Sequence, residues 1–309
     1  MRVFVTGATG AVGQHLVPAL VAAGHQVTAT TTSPGKVALL REMGAEPAVL
    51  DGLDREAVIA AVRAAAPEVI IHQMTALAAM RTPRNLDKDF AVTNELRTRG
   101  TDNLLAAAAA AGTRRIIAQS FTGWPNEHSG GPVKTEADPL DPRPVPSSVR
   151  TLAAIRYVEE TVPRDATEGI VLRYGSFYGP GASEVMLDVV RKRQLPVVGG
   201  GTGVWSFTHI ADAATAAVAA VTQGAPGVYN IVDSEPATVA EWLPYLAGVA
   251  GAKAPLRVPA WAGRLLAGEF IVAWMTSARG SSNAKAVKEL GWEPRFASWR
   301  EGFLDWVSG

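Results

Sequence analysis

The sequence predicts an α/β fold built on a Rossmann-type, doubly wound parallel sheet. Short apolar segments alternate with alanine-rich helical segments over the first 120 residues, and a glycine-rich turn follows the first apolar segment. Continuous apolar strands separated by helices are typical of a parallel sheet that is covered on both faces. A chain of 309 residues is long enough for such a domain together with a smaller lobe.

The predicted elements follow one another in strict alternation up to residue 120. They are strand 2–7, helix 11–24, strand 25–32, helix 36–44, strand 46–51, helix 55–66, strand 68–74, helix 90–112 and strand 114–120. Pro18 lies inside the first helix, where it should remove one backbone hydrogen bond or bend the helix. This alternation is the pattern of repeated βαβ units.

The organisation changes after Ser120. Residues 121–148 form a long connection rich in proline, glycine and charged residues, and loops of that length usually cover an active site or are disordered. Six of the eight tryptophans lie beyond position 240. We therefore expect the Rossmann-type domain in residues 1–181, whose sheet also receives segments near 204–233. Residues 182–309 then form mainly a smaller, interleaved C-terminal substrate lobe.

Composition excludes several classes of function. Lysine plus arginine and aspartate plus glutamate both total 29, so no basic excess favours nucleic acid or a membrane surface as a partner. Cysteine is absent and the five histidines are scattered, so no metal site is predicted. The sequence shows neither a signal peptide nor an apolar stretch long enough to span a membrane, which predicts a cytoplasmic protein. The partner that we expect is a small-molecule substrate.

The segment "TGATGAVG" between the first strand and its helix has the spacing of a dinucleotide-binding loop. Its glycines permit a tight turn, a close approach of the backbone to a pyrophosphate, and close packing of the helix on the sheet. The start of the helix then offers free N–H groups and a partial positive charge to the phosphates. The predicted cofactor contacts in this loop are Gly7, Thr9, Gly10, Ala11, Val12 and Gly13.

The end of the second strand favours NADP(H) over NAD(H). A carboxylate at this point usually binds the ribose diol of NAD, but the strand ends in threonines and Ser33, with Lys36 shortly after. Thr32, Ser33 and Lys36 could receive a 2′-phosphate, although an ordinary polar turn explains them equally well. After the third strand, Asp51 could bind the adenine amino group, beside Gly52 and Leu53, or lie in the N-cap region of the next helix.

Further motifs resemble those of the extended short-chain dehydrogenase/reductase family, which includes the NAD-dependent epimerase/dehydratase enzymes. "IIHQMTAL", "NELRTRGTDNLLAAA", "QSFTGWP", "VLRYGSFYGPG" and three C-terminal segments are similar to its motifs, so the resemblance covers nearly the whole chain. It implies that Gln73, Met74 and Thr75 lie beside the cofactor and that Asn94 braces the sheet. It also places Ser120 on the catalytic serine or threonine of the family and implies a possible homodimer.

The resemblance breaks at the catalytic Tyr-x-x-x-Lys pair. In the family a glutamate follows eight residues after the tyrosine, so Glu159 places Thr151 at the tyrosine position and Ile155 at the lysine position. If Tyr157 is taken as the tyrosine instead, the lysine position falls on Thr161, so the pair is missing either way. The family's proton relay is therefore predicted to be lost.

Several side chains are candidates to replace the pair. The predicted catalytic set is Ser120, Thr151, Tyr174 and Tyr178, although a threonine has too high a pKa to serve as a titrating acid. The predicted substrate contacts are Thr122, Trp124 and Phe177. Glu127, His128 and Lys134 lie on the long loop and could enter the site if that loop closes as a lid.

These observations favour an NAD(P)-dependent oxidoreductase that acts on a hydroxyl or carbonyl group of a small molecule with a non-standard proton donor. Two alternatives remain open. One is a non-redox isomerase, cyclase or lyase of a natural-product pathway, since the apolar replacement of the lysine suits a hydrophobic substrate. The other is a nucleotide-binding sensor without catalysis, because fold membership alone does not decide function.

Overall fold

A computed structural model of the chain describes residues 1–77, 85–164 and 168–308. Its strands are β1 (Arg2–Thr6), β2 (Gln26–Thr31), β3 (Glu46–Val49), β4 (Val69–His72), β5 (Arg115–Phe121), β6 (Val133–Lys134), β7 (Glu168–Tyr174), β8 (Ser176–Tyr178), β9 (Val197–Val198), β10 (Val204–Trp205), β11 (Phe207–His209), β12 (Gly227–Ile231), β13 (Ala237–Thr238), β14 (Arg257–Val258) and β15 (Gly280–Ser281).

The α-helices follow the predicted order in the first half of the chain. They are α1 (Ala11–Ala22), α2 (Val37–Glu42), α3 (Arg55–Ala65), α4 (Leu86–Asp89), α5 (Ala91–Glu95), α6 (Thr101–Ala111), α7 (Val149–Thr161), α8 (Glu184–Arg191), α9 (Ile210–Ala220), α10 (Val239–Val249), α11 (Ala260–Ala267), α12 (Glu269–Ser277), α13 (Ala284–Leu290) and α14 (Trp299–Ser308). The single helix predicted over 90–112 is divided into α5 and α6 by a π-helical turn at Leu96–Gly100. In α1 the helix continues through Pro18.

Seven strands form one parallel sheet in the order β12-β7-β5-β4-β1-β2-β3, which confirms the predicted fold class. The chain runs outward from β1 in one direction and from β4 in the other. Ligands of such sheets bind in the crevice at the carboxyl ends of the strands where the order reverses. The glycine loop leaves β1 at this point.

Alternating side chains of the strands cover both faces of the sheet. Val3 and Val5 pack toward the cluster that includes α1 and α9, whereas Phe4 packs toward α3, α6 and α7. This period of two follows from the pleat of a strand. The same alternation in β5 sends Ile117 to the first face and Ala118 to the second, so the sheet is supported from both sides.

A separate aromatic core lies outside the main sheet. It contains Trp205, Phe207, Trp242, Trp299 and Phe303, all buried. From the segments near 204–233, only β12 enters the main sheet, whereas β10 pairs with β13 and β11 pairs with β8. The parallel pair of β15 with β6 fastens the long loop after β5 to the smaller lobe. In the residues that the structure describes, no helix is long and apolar enough to cross a membrane.

Candidate active site

The glycine loop has the geometry of a pyrophosphate cradle. Gly7 has φ of +74°, and a Cβ there would lie 2.4 Å from the carbonyl oxygen of Gln73. Helix α1 begins after Gly10 with no side-chain cap and no acidic residue in its first turn, which contains Ala11 and Val12. Its N–H groups and the positive end of its dipole are therefore available to an anion. These features fit a dinucleotide at this position.

The residues predicted to contact the adenosine end lie beside this loop. The Thr9 and Thr31 hydroxyls are 3.4 Å apart, and the Thr31 hydroxyl accepts a hydrogen bond from the Ser33 amide at 3.2 Å. Thr32 and Lys36 are exposed. The turn after β2 therefore presents hydroxyls and one ammonium group to solvent, with no carboxylate from residue 26 to residue 41.

The turn after β3 is shaped by Asp51 and Gly52. Asp51 accepts a hydrogen bond from the Leu53 amide at 2.9 Å, and the N-cap of α3 is Asp54 rather than Asp51. A Cβ on Gly52 would lie 2.2 Å from the sulfur of Met74. This close contact fixes the turn against the end of β4.

The end of β4 carries a buried amide that is only partly satisfied. Gln73 donates a hydrogen bond from Nε2 to the Tyr174 hydroxyl at 3.2 Å, whereas its Oε1 atom has no hydrogen-bond partner among the described residues. Buried polar atoms normally have a partner. Met74 is buried and Thr75 is exposed. The free Oε1 atom beside the glycine loop is a further feature that fits a bound cofactor.

Ser120 lies in a buried ionic network instead of on an open surface. Its hydroxyl, on a side chain only 5% exposed, donates to Glu159 Oε1 at 2.7 Å. Arg173 binds both carboxylate oxygens of Glu159, at 2.8 and 2.6 Å. The proton of the Ser120 hydroxyl is thus directed at the Glu159 carboxylate.

Thr151 occupies a structural position at the start of α7. Its hydroxyl donates to Asp87 Oδ1 at 2.9 Å and accepts from Asn94 Nδ2 at 3.0 Å. Asp87 also accepts the backbone amides of Arg150 and Thr151, at 2.9 and 2.7 Å. Ile155, one turn further, is 1% exposed. Neither Thr151 nor Ile155 carries a group that titrates in the ordinary pH range.

The two predicted tyrosines lie in the core. The Tyr174 hydroxyl contacts Gln73 and the Ala213 carbonyl, and burial raises its pKa above the ordinary range. Burial also raises the pKa of Tyr178, whose ring packs among aromatic residues and whose hydroxyl oxygen would be 2.0 Å from a Cβ on Gly302. Phe177 is half-buried and packs on Tyr174. Both hydroxyls therefore point away from open space.

A small pocket, partly open to solvent, lies between the loop after β5 and helix α12. Trp124 and Phe270 are in edge-to-face contact in its wall, with ring centroids 5.3 Å apart, and Trp274 adds a further aromatic side chain. The full lining comprises Trp124, His128, Asp141, Pro144, Val145, Ser148, Phe270, Ala273, Trp274 and Ala278. We call this region the aromatic pocket.

Of the three predicted substrate residues, only Trp124 lines the aromatic pocket. The Thr122 hydroxyl is buried, 2.6 Å from the Ser281 hydroxyl. Sequence reasoning missed Phe270, Trp274 and Asp141. The concentration of tryptophans beyond residue 240 was a signal for an aromatic surface, but only the fold brings α12 against the loop after β5.

Comparisons with known proteins agree with this geometry. The family model described as NAD dependent epimerase/dehydratase family matches residues 3–232. The chain belongs to this family. It is 43% identical, over 98% of its length and 99% of the relative's, to a 3-diazoavenalumate denitrifying reductase from a Streptomyces species.

Two solved structures of epimerases are similar over the whole chain. The UDP-glucose 4-epimerase of Thermus thermophilus in complex with NAD has a TM-score of 0.72 and 25% identity, covering 100% of this chain and 98% of that chain. A human epimerase family protein with NADPH has a TM-score of 0.74 and 20% identity, covering 100% of both chains. The family match and the reductase relative confirm an NAD(P)-dependent oxidoreductase of the extended short-chain dehydrogenase/reductase type, and they do not favour the non-redox alternatives.

Proposed function

We propose that this family member is a reductase that works without a tyrosine–lysine proton relay and acts on a diazo group of an aromatic acid. The observation that carries the proposal is the placement of Thr151 and Ile155. The Thr151 hydroxyl is held between Asp87 and Asn94, and Ile155 is buried. None of the five tyrosines is followed four residues later by a lysine.

The chemistry of diazo reduction explains why the relay is dispensable. Reduction of a carbonyl to an alcohol needs a hydride and a proton, and a positioned acid contributes a factor of ~10² to 10⁴ in rate. An aryl diazonium ion needs only the hydride. A C–H bond forms, the C–N bond breaks, its electron pair leaves with N₂, and the charge of the diazonium is neutralised. The relative named as a denitrifying reductase of a diazo compound supports this substrate class.

The chain's own residues then bind and orient the reactants. A bound nicotinamide dinucleotide supplies the hydride. The amides at the start of α1 hold the pyrophosphate of the dinucleotide. The Oε1 atom of Gln73 accepts a hydrogen bond from the dinucleotide or from the substrate. Trp124, Phe270 and Trp274 offer an apolar, partly open surface on which a planar ring of the substrate packs. Ser120, Tyr174 and Tyr178 transfer no proton in this mechanism, because all three side chains are buried.

NADP(H) is the cofactor that we propose within the nicotinamide class. The turn after β2 supports NADP(H). Thr32 and Lys36 are exposed, Ser33 is half-buried, and the turn contains no carboxylate that would repel a 2′-phosphate. The variant Lys36→Ala should weaken NADPH binding by about 10-fold through loss of one charge-assisted contact and leave NADH binding unchanged. Equal weakening of both cofactors would remove the argument for NADP(H).

We propose a homodimer, because members of the family that the chain resembles pair through the helix at the catalytic segment. Exposed Val92 on α5 and Val149 on α7 support it, since these two helices contact each other. Sedimentation of the wild type and a Val92→Asp/Val149→Asp variant would test the pairing. The cytoplasmic location stays a prediction.

The substrate class is tested by comparing two aromatic acids that differ in one group. The purified protein with NADPH is given a freshly diazotised amino-hydroxycinnamate or, separately, the matching acetyl-substituted ketone. We expect oxidation of NADPH with the diazo compound and at least ~100-fold slower oxidation with the ketone, because only the ketone needs an acid. Faster reduction of the ketone would contradict the proposal.

A further inference from the structure

The aromatic pocket contains one pair of titratable side chains, His128 and Asp141. The His128 Nε2 atom lies 3.9 Å from Asp141 Oδ2, within the distance of an ion pair. The His128 side chain is 38% exposed and that of Asp141 is 12% exposed. The Asp141 carboxylate is thus largely covered, whereas the His128 imidazole is open to the aromatic pocket.

We propose that His128, oriented by Asp141, binds an anionic oxygen of the aromatic substrate, either a phenolate or a carboxylate. This inference rests on the proposed function only for the aromatic class of the ligand. The Nδ1 atom of His128 has no hydrogen-bond partner in the described part of the chain, so it is free to donate to a ligand. A hydrogen bond from the imidazole to an anionic oxygen is charge-assisted because the acceptor is ionised.

The charged groups around the pair support this arrangement. Asp141 is held in place because its Oδ1 accepts the Arg143 amide at 2.9 Å. The Arg156 guanidinium contacts the Asp141 carbonyl at 3.5 Å, and Arg279 donates to the His128 carbonyl at 2.6 Å. Glu127 precedes His128 on the same loop and does not line the pocket. The region around the imidazole therefore combines two guanidinium groups with one buried carboxylate, which favours an anion at the open face.

The position of the pocket relates the pair to the reaction. Its lining includes Ser148, three residues before Thr151, and Trp124, three residues after the end of β5. In the family resemblance, Ser120 lies at the position of the catalytic serine and Thr151 at the position of the catalytic tyrosine, so the pocket lies close in sequence to both. A ring that packs on the half-buried Trp124 with its anionic oxygen on His128 would be fixed in orientation. His128 is thus a substrate-binding residue, and Asp141 is a positioning residue that acts through it.

The test uses binding of an unreactive ligand, so it does not depend on diazo reduction. Quenching of tryptophan fluorescence by 4-hydroxycinnamate is measured for the wild type, His128→Gln, Asp141→Asn and the control Glu127→Gln, each with saturating NADP⁺. We expect His128→Gln to weaken binding by about 10-fold or more, as for loss of a hydrogen bond to a charged group, and Glu127→Gln to leave it unchanged. Asp141→Asn should weaken binding less than His128→Gln does, and Asp141→Glu should restore it, because Asp141 acts only by orienting the imidazole.

The methyl ether and the methyl ester of the same ligand identify the oxygen. Whichever derivative binds the wild type and His128→Gln equally well has lost the group that His128 recognises. If 4-hydroxycinnamate does not bind the wild type, or if it binds His128→Gln as tightly as the wild type, the proposal is wrong. Binding that depends on His128 in a protein that fails to reduce diazo compounds would contradict the proposed function alone and leave this inference standing.

Discussion

Asp87 Oδ1 accepts two hydrogen bonds from Thr151, one from its amide at 2.7 Å and one from its hydroxyl at 2.9 Å. The two residues are 64 positions apart in the sequence. Asp87 thereby satisfies the free amides at the start of α7, as an N-cap side chain does. The position that carries the catalytic tyrosine in the family resemblance thus serves to anchor a helix in this chain.

Replacement of Thr151 by valine separates a structural role from a catalytic one. The variant Thr151→Val keeps the side-chain shape but removes the hydroxyl, so we expect the free energy of unfolding to fall by about 1–2 kcal/mol. Turnover should stay within about twofold of the wild type, because no proton passes through this hydroxyl in our account. Urea unfolding and steady-state kinetics measure the two quantities. A ~100-fold loss of kcat at unchanged stability would instead assign Thr151 to catalysis.

Ser120 and Glu159 provide a second test. Glu159→Gln leaves the buried Arg173 guanidinium without its ionic partner, which should cost about 3–5 kcal/mol of unfolding free energy. Ser120→Ala removes only one of three hydrogen bonds to the carboxylate and should cost about 1–2 kcal/mol, with turnover retained. Denaturant titrations and kcat values on the same preparations check both expectations. A sharp drop in turnover for Ser120→Ala alone would restore Ser120 as a catalytic residue.

Gly7 and Gly24 form a matched pair for the cofactor loop. Both have positive φ, +74° and +81°, but a Cβ at Gly7 would collide with the Gln73 carbonyl whereas a Cβ at Gly24 meets nothing within 4 Å. Both alanine variants should lose about 1 kcal/mol from backbone strain. Gly7→Ala should lose more stability because of the collision, and only Gly7→Ala should also lose NADPH binding. Fluorescence titration with NADPH measures the difference. Similar affinities for the two variants would place the cofactor elsewhere.

His72 makes stability depend on pH. Burial lowers the pKa of His72 to about 4. Its ring donates from Nε2 to the Leu96 carbonyl and accepts the Met74 amide at Nδ1, so the neutral ring fits and the imidazolium does not. In the unfolded chain the side chain takes up a proton near pH 6.5. The stabilisation from the neutral ring is therefore complete above pH 6.5 and is lost as the pH falls toward 4, by up to about 3 kcal/mol.

The variant His72→Gln isolates this effect. Burial raises the pKa of Asp212 to about 6, which gives an opposite slope between pH 4 and 6, but this carboxylate titrates in both proteins. The difference in unfolding free energy between wild type and His72→Gln should therefore shrink as the pH is lowered from 6.5 to 4. Equilibrium unfolding at several pH values gives this difference directly. A difference that does not change with pH would show that His72 is not the responsible group.

The first half of the fold follows from local signals. Alternating apolar strands and helices, with glycines at 7, 10 and 13, were sufficient to predict the doubly wound sheet, because each βαβ unit is specified by neighbouring residues. The seventh strand, β12, was placed only to within the segment 204–233, since β10 and β11 in the same segment pair with other strands. The π-helical turn at 96–100 has no comparable signal in the composition of the predicted helix.

The catalytic region was predicted less completely. The sequence predicts the loss of the tyrosine and the lysine through the spacing from Glu159. The burial of Tyr174 and Tyr178 is not, because both are set by packing against helices α9 and α14, far along the chain. The aromatic pocket depends in the same way on α12, which meets Trp124 only in the folded protein. Long-range packing of this kind leaves no local pattern.

The measurement that tests the central claim most directly is the stoichiometry of diazo reduction. An aryl diazonium acid with ¹⁵N in both diazo positions is incubated with the protein and NADPH deuterated at C4 of the nicotinamide. The account predicts one labelled N₂ and one NADP⁺ for each molecule of arene formed, with a slower rate for deuterated than for ordinary NADPH. Release of N₂ without oxidation of NADPH, or oxidation of NADPH with the nitrogen retained in the product, would contradict it.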